Sequence, residues 1–422
     1  MSRWGVALAA AFLMAFPWVV LAFSVETGGL AQVSTRGIGY DAEDVRGSLD
    51  PSDQAPYDDL ESAAGFRLTT RTSFSEAVTG DLDYEFLFAG GEATQRRSDL
   101  AAAGFPLPGG DSGDIDRYRL FDLTREVSSS ASQRTLHRLD RFSINGEFGG
   151  ADLRIGRQAV TWGGGLLFNP MDLVNPFSPT DTLRDYKAGD DLVFLGYTHA
   201  TGRELQVIVG PGREADTGEV TSAASRYATK LHGSFGSLDA DLLVARHRDH
   251  TLSGVGFSGY AGEAAWRGDL IVSDEDGGIF SAVANMDLSW VAWNKNWYGF
   301  IEVYHNGYGT SGYADALTDP ATASRLSRGE VFILGKNYLA LRVQMEAHPL
   351  VNLTLTSISN LDDPSGTLQP TLVWDALQNL RVDIGALIPW GAPETEYGGF
   401  SLPNGKKAAP TRELILRGSW FF

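Results

Sequence analysis

The sequence has 422 residues and a net charge of −19, with 49 glycines, 11% aromatic residues and no cysteine. The acidic balance argues against nucleic acid or anionic lipid as the main partner, because those partners require a basic protein surface. The absence of cysteine excludes disulfide frameworks, thiolate metal sites and thiol nucleophiles.

The first 22 residues have the composition of a secretory signal peptide. A short basic region around Arg3 precedes an apolar run that ends at Ala22, where small residues permit cleavage. Pro17 and the abrupt change to polar sequence after Ser24 argue against an uncleaved membrane anchor. We therefore predict a signal peptide over residues 1–22 and a mature chain over residues 23–422.

The rest of the chain alternates between apolar and polar residues in short stretches. No later segment reaches the ~20 consecutive apolar residues that a transmembrane helix needs, so a helical membrane protein is excluded. The even-numbered positions of residues 82–88 are apolar, and residues 380–388 show the same period of two. This period is typical of a strand between lipid and a lumen, although a soluble β-sandwich also alternates.

The lengths of the connections favour a barrel over a sandwich. Short turns such as Gly149-Gly150 take every second position along the chain, and long polar loops take the others. Because this asymmetry is typical of outer-membrane barrels, we predict an all-β fold, a closed antiparallel transmembrane β-barrel of about 18 strands, in the range of about 16 to 20. Residues 117–125 are assigned to a loop, since a strand there would move Gly149-Gly150 to the long-loop end. The long outer loops are predicted near residues 39–63, 93–133, 163–188, 308–332 and 391–410.

The predicted last strand, residues 411–422, alternates clearly and ends in Phe422. It resembles the C-terminal signature of outer-membrane barrels, an amphipathic strand ending in Phe that the barrel assembly machinery recognises. Trp297, Trp390 and Trp420 lie near predicted strand ends, where an aromatic girdle meets the membrane interface. These features predict a location in the cell outer membrane, with its lipid and lipopolysaccharide as partners.

The same alternation directs charged residues of both signs into the predicted lumen. In neighbouring strands, Arg67 and Arg71 are expected to oppose Asp83 and Glu85, Arg141 and Glu147 to neighbour Asp152 and Arg154, and Arg381 and Asp383 to neighbour Glu413 and Arg417. They could form charge rings that select ions or solutes, or they could be cross-strand pairs that only neutralise one another in a wet interior. The candidates for lining the pore are Arg67, Arg71, Asp83, Glu85, Arg141, Glu147, Asp152, Arg154, Arg342, Arg381, Asp383, Glu413 and Arg417.

The least generic part of the sequence is the stretch 156–177. It contains Gly156-Arg157-Gln158, then Trp162-Gly163, then Asn169-Pro170. This order resembles a strand-end pattern of poorly characterised porin-like outer-membrane proteins, and the general plan is similar to that of alginate-export-type barrels. The resemblance implies a porin-like channel and names no substrate. At Gly156, a bulge is expected to turn Arg157 away from lipid, where an arginine costs ~2–4 kcal/mol.

The segment after this strand is too apolar to be favourable as a solvent-exposed loop. We hypothesise that residues 163–180 fold into the barrel and narrow it; the alternative is that they cap the rim against lipopolysaccharide or a neighbouring subunit. The candidates for the constriction are Trp162, Gly163, Gly164, Gly165, Phe168, Asn169, Pro170 and Asp172.

The first long loop, residues 39–63, is rich in aspartate and glutamate. An acidic mouth would concentrate cations, or bind divalent ions that bridge lipopolysaccharide phosphates. The alternative is a solvated loop without such a role.

The sequence offers little for catalysis. Residues 307–312 match Gly-x-Gly-x-x-Gly, but no helical pattern follows them, and neither a Gly-x-Ser-x-Gly nor a His-Glu-x-x-His motif is present. We predict no catalytic residue, no metal and no cofactor. The primary interpretation is a channel for a small solute whose identity the sequence does not indicate. The alternatives are a sheath for a periplasmic redox or secretion partner and, third, an outer-membrane hydrolase.

Overall fold

The computed structural model describes residues 24–41, 43–47, 58–103, 115–176, 178–179 and 186–422. The predicted signal peptide, residues 1–22, lies outside these residues and stays a prediction. The predicted first loop is described only in part.

Strands dominate the described chain. They are β1 Ser24–Gly39, β2 Asp58–Ser73, β3 Val78–Gly91, β4 Thr124–Ser130, β5 Gln133–Phe148, β6 Ala151–Gln158, β7 Asp190–Thr198, β8 Glu204–Arg213, β9 Val220–Phe235, β10 Leu238–His247, β11 His250–Ala261, β12 Ala264–Ser273, β13 Ile279–Ala292, β14 Lys295–His305, β15 Asn337–His348, β16 Val351–Asn360, β17 Ser365–Leu377, β18 Leu380–Gly391, β19 Phe400–Ser401, β20 Lys407–Ala408 and β21 Arg412–Phe421. The helices are α1 Glu92–Ala102, α2 Tyr313–Thr318 and α3 Pro320–Arg328. None of these helices is long and apolar enough to cross a membrane.

The wall of the barrel is a ring of antiparallel strands. Each wall strand pairs with the next along the chain, and β1 pairs with both β2 and β21, which closes the ring. Without β4 and the small β19–β20 hairpin, the wall has 18 strands, so the predicted closed antiparallel barrel is confirmed. β4 pairs with the long-loop end of β5 and adds no strand to the wall. Residues 117–123 lie in the loop as predicted, whereas residues 124 and 125 begin β4.

The alternation of the sequence becomes the two faces of the wall. Large apolar side chains such as Leu82, Phe86, Ile384 and Ile388 are exposed on the outer face. Their polar neighbours along each strand point inward. A continuous outer surface of this kind would be unfavourable in water, and it matches the hydrocarbon layer of a membrane.

The connections differ sharply between the two ends of the barrel. Turns at residues 149–150, 293–294 and 378–379 join strands at one end, while residues 159–189 and 306–336 make long excursions at the other. The first loop is shorter than predicted, because residues 58–63 already belong to β2. β6 ends at Gln158, before the predicted limit of 162.

Three of the acidic residues assigned to the first loop therefore lie in a strand. The Glu61 carboxylate accepts a hydrogen bond from Arg36 at 2.6 Å and forms a second ion pair, of 2.8 Å, with Arg97. Asp59 pairs with Arg96 at 3.3 Å. These arginines neutralise the carboxylates, so the strand continues through an acidic stretch that the sequence pattern assigns to a solvated loop.

The loops of the long-loop end also pack against one another across the closing seam. Val45, Tyr313, Phe400 and Leu402 form an apolar cluster contributed by three different loops. The Val45 amide donates to the Lys407 carbonyl oxygen at 2.8 Å. The cluster therefore fastens the first loop to the last one above the barrel wall.

Aromatic side chains lie at both ends of the wall, as predicted. Trp390, at the long-loop end, and Trp420, at the short-turn end, are both partly exposed on the outer face. Trp297 stacks on Trp290 with 6.1 Å between the ring centroids and meets the Trp293 ring edge-on at 5.7 Å. This arrangement is typical of a membrane-interface girdle.

The closing seam depends on a close fit between Gly29 and Phe422. The two residues exchange backbone hydrogen bonds of 2.8 and 3.1 Å, and the Phe422 ring stacks on Phe66 at 5.7 Å. A Cβ on Gly29 would lie 2.3 Å from the ring of Phe422 and 2.6 Å from the Arg67 carbonyl oxygen. Only glycine therefore lets the terminal aromatic ring lie flat on β1.

We predict that Gly29→Val lowers the free energy of unfolding by about 1–3 kcal/mol, the usual cost of overpacking a filled site. The measurement is urea unfolding of the refolded barrel, followed by the faster migration of the folded form in unheated gels. Gly37→Val on the same strand is the control, because nothing lies within 4 Å of its added Cβ. Equal stability of the two variants would refute the close fit between Gly29 and Phe422.

Candidate functional site: the lumen and the inward loop

The loop that follows β6 crosses the inside of the barrel. Its amide groups at Leu166, Leu167 and Phe168 donate to the carboxylate of Glu302 at 2.6, 2.9 and 2.8 Å. Glu302 is completely buried on β14, and its neighbours Ile301 and Val303 are exposed on the outer face. In the ring of 18 strands, β6 is the fifth and β14 the thirteenth, so the loop reaches nearly the opposite wall.

The three glycines of the loop permit the tight turn that gathers these amides. Gly163 has a φ of 92°, in the left-handed region that favours glycine. A Cβ on Gly165 would lie 1.9 Å from the Phe168 carbonyl oxygen. The Asn169 side-chain amide closes the turn by donating to the Trp162 carbonyl oxygen at 2.8 Å.

Two further wall residues hold the same turn. Asp269 on β12 accepts from the Gly164 amide at 2.6 Å. Asn285 on β13 donates to the Gly164 carbonyl oxygen at 2.8 Å and to Glu302 at 3.1 Å. Three neighbouring strands therefore supply polar anchors for one turn of the loop.

The remainder of the loop packs on an apolar arc of the inner wall. Met171 is completely buried, and the Trp162 ring donates through its Nε1 to Gln206. The apolar cluster around them contains Val160, Trp162, Met171, Val174, Leu192, Phe194, Ile208, Ala228, Leu243, Ala245, Leu252 and Ile271. The strands from β7 to β12 are thus apolar on both faces where the loop covers them.

The part of the loop that leads back to β7 is fastened by a buried ion pair. Lys187 Nζ contacts both carboxylate oxygens of Asp172 at 2.5 and 2.6 Å and donates to the Val160 carbonyl oxygen at 2.6 Å. Phe168 stacks on Tyr304 with 4.8 Å between centroids. All eight constriction candidates, including Pro170, lie in this inward segment.

Several candidates for lining the pore form one ion cluster on β2, β3 and β5. Arg67 contacts Glu85, Asp83 at 2.6 Å and Asp140 at 2.9 Å. Its guanidinium also lies 3.7 Å from the centroid of the Tyr186 ring, at the end of the inward loop. The cluster is buried against the loop and is more than a set of isolated cross-strand pairs.

Other candidates pair elsewhere on the same side of the barrel. Arg417 donates to Asp383 at 2.7 Å, and both side chains are buried. Glu413 contacts Arg36 at 3.3 Å. Arg141 donates to Asp140 at 2.7 Å and also to the Lys187 carbonyl oxygen.

The remaining predicted neighbours are arranged differently from the expectation. Arg71 pairs with Asp81, at 3.1 Å, and not with Asp83 or Glu85. Arg381 pairs with Asp375, at 3.2 Å, near the short-turn end. Both pairs are more exposed than the Arg67 cluster.

The predicted group of Arg141, Glu147, Asp152 and Arg154 is brought together only in part. Arg154 pairs with Asp152 within its own strand at 3.0 Å, and Glu147 lies opposite Asp152 in the strand register. Arg141 binds residues nearer the long-loop end. The alternation places these side chains on the inner face. Their ion-pair partners, however, depend on how far along the barrel axis each residue lies.

Arg342 has a different environment from the other candidates. Its Nε donates to the Thr356 hydroxyl at 2.9 Å, and its guanidinium lies 5.4 Å from the centroid of the Phe300 ring. No carboxylate contact of Arg342 is found within the described part of the chain.

The expected bulge at Gly156 is not present. The β5–β6 register runs without a shift, although the φ of Gly156 is 123° and a Cβ there would lie 2.1 Å from the Phe142 carbonyl oxygen. Arg157 is instead buried by a neighbouring loop. It contacts Asp191 at 2.8 Å and Asp116 at 3.0 Å, and it donates to the Phe121 carbonyl oxygen at 2.6 Å.

Sequence reasoning missed the residues that fix the site. The Asp140 side chain points inward because the β3–β5 register shifts between Asp83 and Tyr84, and no sequence pattern marks this bulge. Glu302 lies between apolar residues, so parity could have directed it inward. Nothing in the sequence links it to a loop more than a hundred residues earlier.

The helix α3 closes over the long-loop end next to the inward loop. Glu330, just after α3, accepts a bidentate hydrogen bond from Arg328 at 2.7 and 2.6 Å and contacts His247 at 3.3 Å. Burial would raise the pKa of Glu330, but the hydrogen bonds from His247 and Arg328 hold the pKa well below its usual range. The carboxylate therefore fastens the segment after α3 to the tip of β10.

No group of three or more histidine, aspartate or glutamate side chains suited to a metal ion is present among residues that the structure describes.

Comparison with known proteins shows the fold and no closer relation. No family model matches the sequence, and no curated protein sequence matches it significantly. OccK11 (OpdR) of Pseudomonas aeruginosa aligns with a TM-score of 0.52 and 12% identity over 94% of this chain and 95% of that one. The chain has the fold of outer-membrane barrels. OccAB1 of Acinetobacter baumannii gives 0.52 and 10% identity, covering 94% and 96%.

A further solved structure is OpdK of P. aeruginosa, described as an outer membrane protein. Its complex with vanillate aligns with a TM-score of 0.50 and 12% identity over 94% of this chain and 98% of that one. At such identities the similarity concerns architecture, and the side chains of the lumen have to be judged on their own geometry.

We predict that acid loosens the segment after α3. Because the pKa of Glu330 is lower in the folded protein, its contribution to stability is present above the unfolded pKa of about 4.3 and is lost as the pH falls further. Glu330→Gln lacks this contribution, so the stability difference between wild type and variant shrinks below about pH 4.

The measurement is thermal unfolding or protease cleavage of residues 320–336 as a function of pH. Glu346→Gln, near the opposite end of the barrel, serves as the control for removal of one carboxylate. A difference between wild type and Glu330→Gln that stays constant down to pH 3 would contradict the assignment.

Proposed function

We propose that the protein is a porin-like channel of the outer membrane that passes a small solute, with the inward loop narrowing its lumen. The observation that carries this proposal is the capture of the loop by Glu302 on the opposite wall. A loop held across the interior at this depth reduces the free cross-section. The rim-cap alternative would leave its amides near the membrane surface.

The proposed route follows the polar side of the barrel. The loop covers the apolar arc of β7 to β12 and, through Tyr186, reaches the Arg67 cluster. Asp383 and Arg417, with hydroxyl and amide groups such as Thr356 and Gln369, lie on the arc from β16 to β21. Water and solutes move where polar groups replace their hydration shell. The predicted pore-lining residues on this arc are therefore the proposed selectivity groups.

The comparisons support only the general class of this function. OpdK binds vanillate, which is a small solute, and its fold is shared by this chain. For this chain we propose only that the ligand is a small solute, and we do not propose vanillate itself. Lipid and lipopolysaccharide around the apolar wall, and the barrel assembly machinery that recognises a terminal strand ending in Phe422, remain the proposed partners.

We predict that Glu302→Gln raises single-channel conductance in a planar bilayer. Glutamine keeps the shape of the side chain but loses the charge, and hydrogen bonds to charged groups contribute about 1.5–3 kcal/mol each. Its amide nitrogen would also face the donor groups of the loop. The loop should therefore leave the wall for part of the time, which gives larger and noisier open steps.

Two comparisons make the result specific. Glu346→Gln removes a lumen carboxylate near the short-turn end without touching the loop, so its conductance should equal that of the wild type. Deletion of residues 165–177 should raise conductance further than Glu302→Gln does. If both loop variants conduct like the wild type, the loop does not narrow the pore; a wild-type barrel without any open steps would favour the sheath for a periplasmic partner.

We further predict that Arg342→Gln shifts ion selectivity toward cations. Arg342 lies on the inner wall and pairs with a hydroxyl, so its positive charge acts on passing ions. The measurement is the reversal potential under a salt gradient. Arg381→Gln makes the same charge change at a pair whose side chains are about 40% exposed, where salt screens the field, and should shift the potential less. An equal shift in both variants would place the selectivity filter elsewhere.

A further inference from the structure

A cavity of about 350 Å³ lies on the outer side of the inward loop. Residues of the loop, among them Phe168, Asn169 and Pro170, line one side, and the segment 325–333 together with the long-loop ends of β8 to β14 lines the other. Its volume lies within the range of about 300–1,000 Å³ that is usual for small-molecule sites. We call this space the outer cavity.

The charged groups of the outer cavity neutralise one another. Glu330 is bound by Arg328 and contacts Arg248 at 3.1 Å. Arg325 is paired with Glu275, which also lies 3.8 Å from His250. Among these six side chains, each cation has a carboxylate beside it.

The same holds for the other lining carboxylates that have a cation within reach. Asp172 is paired with Lys187 at 2.5 Å, and Asp249 with Arg246 at 2.9 Å. An ionic ligand at one of the buried pairs would have to break that pair and leave one of its members desolvated without a counter-charge. Charge complementarity therefore disfavours both a simple anion and a simple cation.

The rest of the lining is largely apolar, with hydroxyl and ring groups. Its apolar and aromatic members include Phe168, Pro170, Ala223, Ile271, Tyr304 and Phe332. The cavity thus combines rings and aliphatic groups with charged groups that are already paired. This combination suits a ligand with an apolar face and an edge of hydroxyl groups. Hydroxyls can donate and accept without carrying charge.

Among the described lining residues, the buried polar atoms without a hydrogen-bond partner are Asn169 Oδ1, Arg248 Nε and His247 Nδ1, and of these Arg248 Nε has a carboxylate 3.1 Å away, on Glu330. The Nδ1 atom of His247 is buried and makes no hydrogen bond, while its Nε2 contacts Glu330. A buried ring nitrogen without a partner is costly, and a hydroxyl can satisfy it in either tautomer. This matches a neutral ligand and does not require a charged one.

We propose that the outer cavity binds a small neutral solute that carries several hydroxyl groups, of the monosaccharide class, before the solute passes the inward loop. The proposal rests on the proposed channel function for its role in passage, but binding itself can be measured without conduction. The segment 325–333 and the inward loop form the two sides of the site.

Saturation-transfer NMR on the refolded full-length barrel in detergent tests binding directly, with glucose, sodium benzoate and L-arginine as separate probes. Glucose should give a saturable signal. Phe332→Ala removes an apolar face of the cavity and should raise the half-saturating glucose concentration about tenfold, which corresponds to about 1.4 kcal/mol. Ala223→Phe, which fills the cavity, should abolish the signal.

Leu361→Ala is the matched control, because Leu361 is exposed on another outer turn and does not line the cavity. Its glucose titration should equal that of the wild type. Absence of a saturable glucose signal, a signal unchanged by Ala223→Phe, or stronger binding of benzoate or arginine than of glucose would each overturn the proposal. A barrel that binds glucose but shows no conductance would refute the channel function and leave the binding site standing.

Discussion

The carboxylate of Glu302 fixes the interior of this barrel. It receives three successive amide groups from a loop that begins almost half a circumference away, and Asn285 orients it from the next strand. A buried carboxylate without such donors would be costly, and the three amides would be equally costly without an acceptor. Each side therefore requires the other. The apolar packing of the loop, the ion pair of its return and the outer cavity all depend on this contact.

The inner wall varies around the barrel. From β7 to β12 it is apolar where the loop covers it, and a second apolar cluster on β14 to β16 packs on Phe168. The ion clusters around Arg67 and Arg417 lie on β18, β21, β2, β3 and β5. The proposed passage would run beside the loop, along the arc that carries these ion clusters.

The architecture could be predicted from the sequence because alternation and turn length are local properties. The period of two in residues 380–388 and the two-residue turn at Gly149-Gly150 survive unchanged in the structure. The partners of the lumen charges could not be predicted, since they depend on register and depth: Arg71 meets Asp81, and a bulge directs Asp140 toward Arg67. The environment of Arg157 could not be predicted either, because a loop that is remote in sequence but adjacent in space buries it where a local bulge was expected.

The apolar inner arc also bears on how the barrel is assembled. A strand that is apolar on one face and polar on the other specifies which face turns outward, and a slip of one residue reverses it at a high cost. Strands β7 to β12 carry apolar residues on both faces, at Leu242 and Leu243 for example, so this discrimination is weak there. The loop covers these inner apolar residues, so a strand that slipped by one residue would lose that packing.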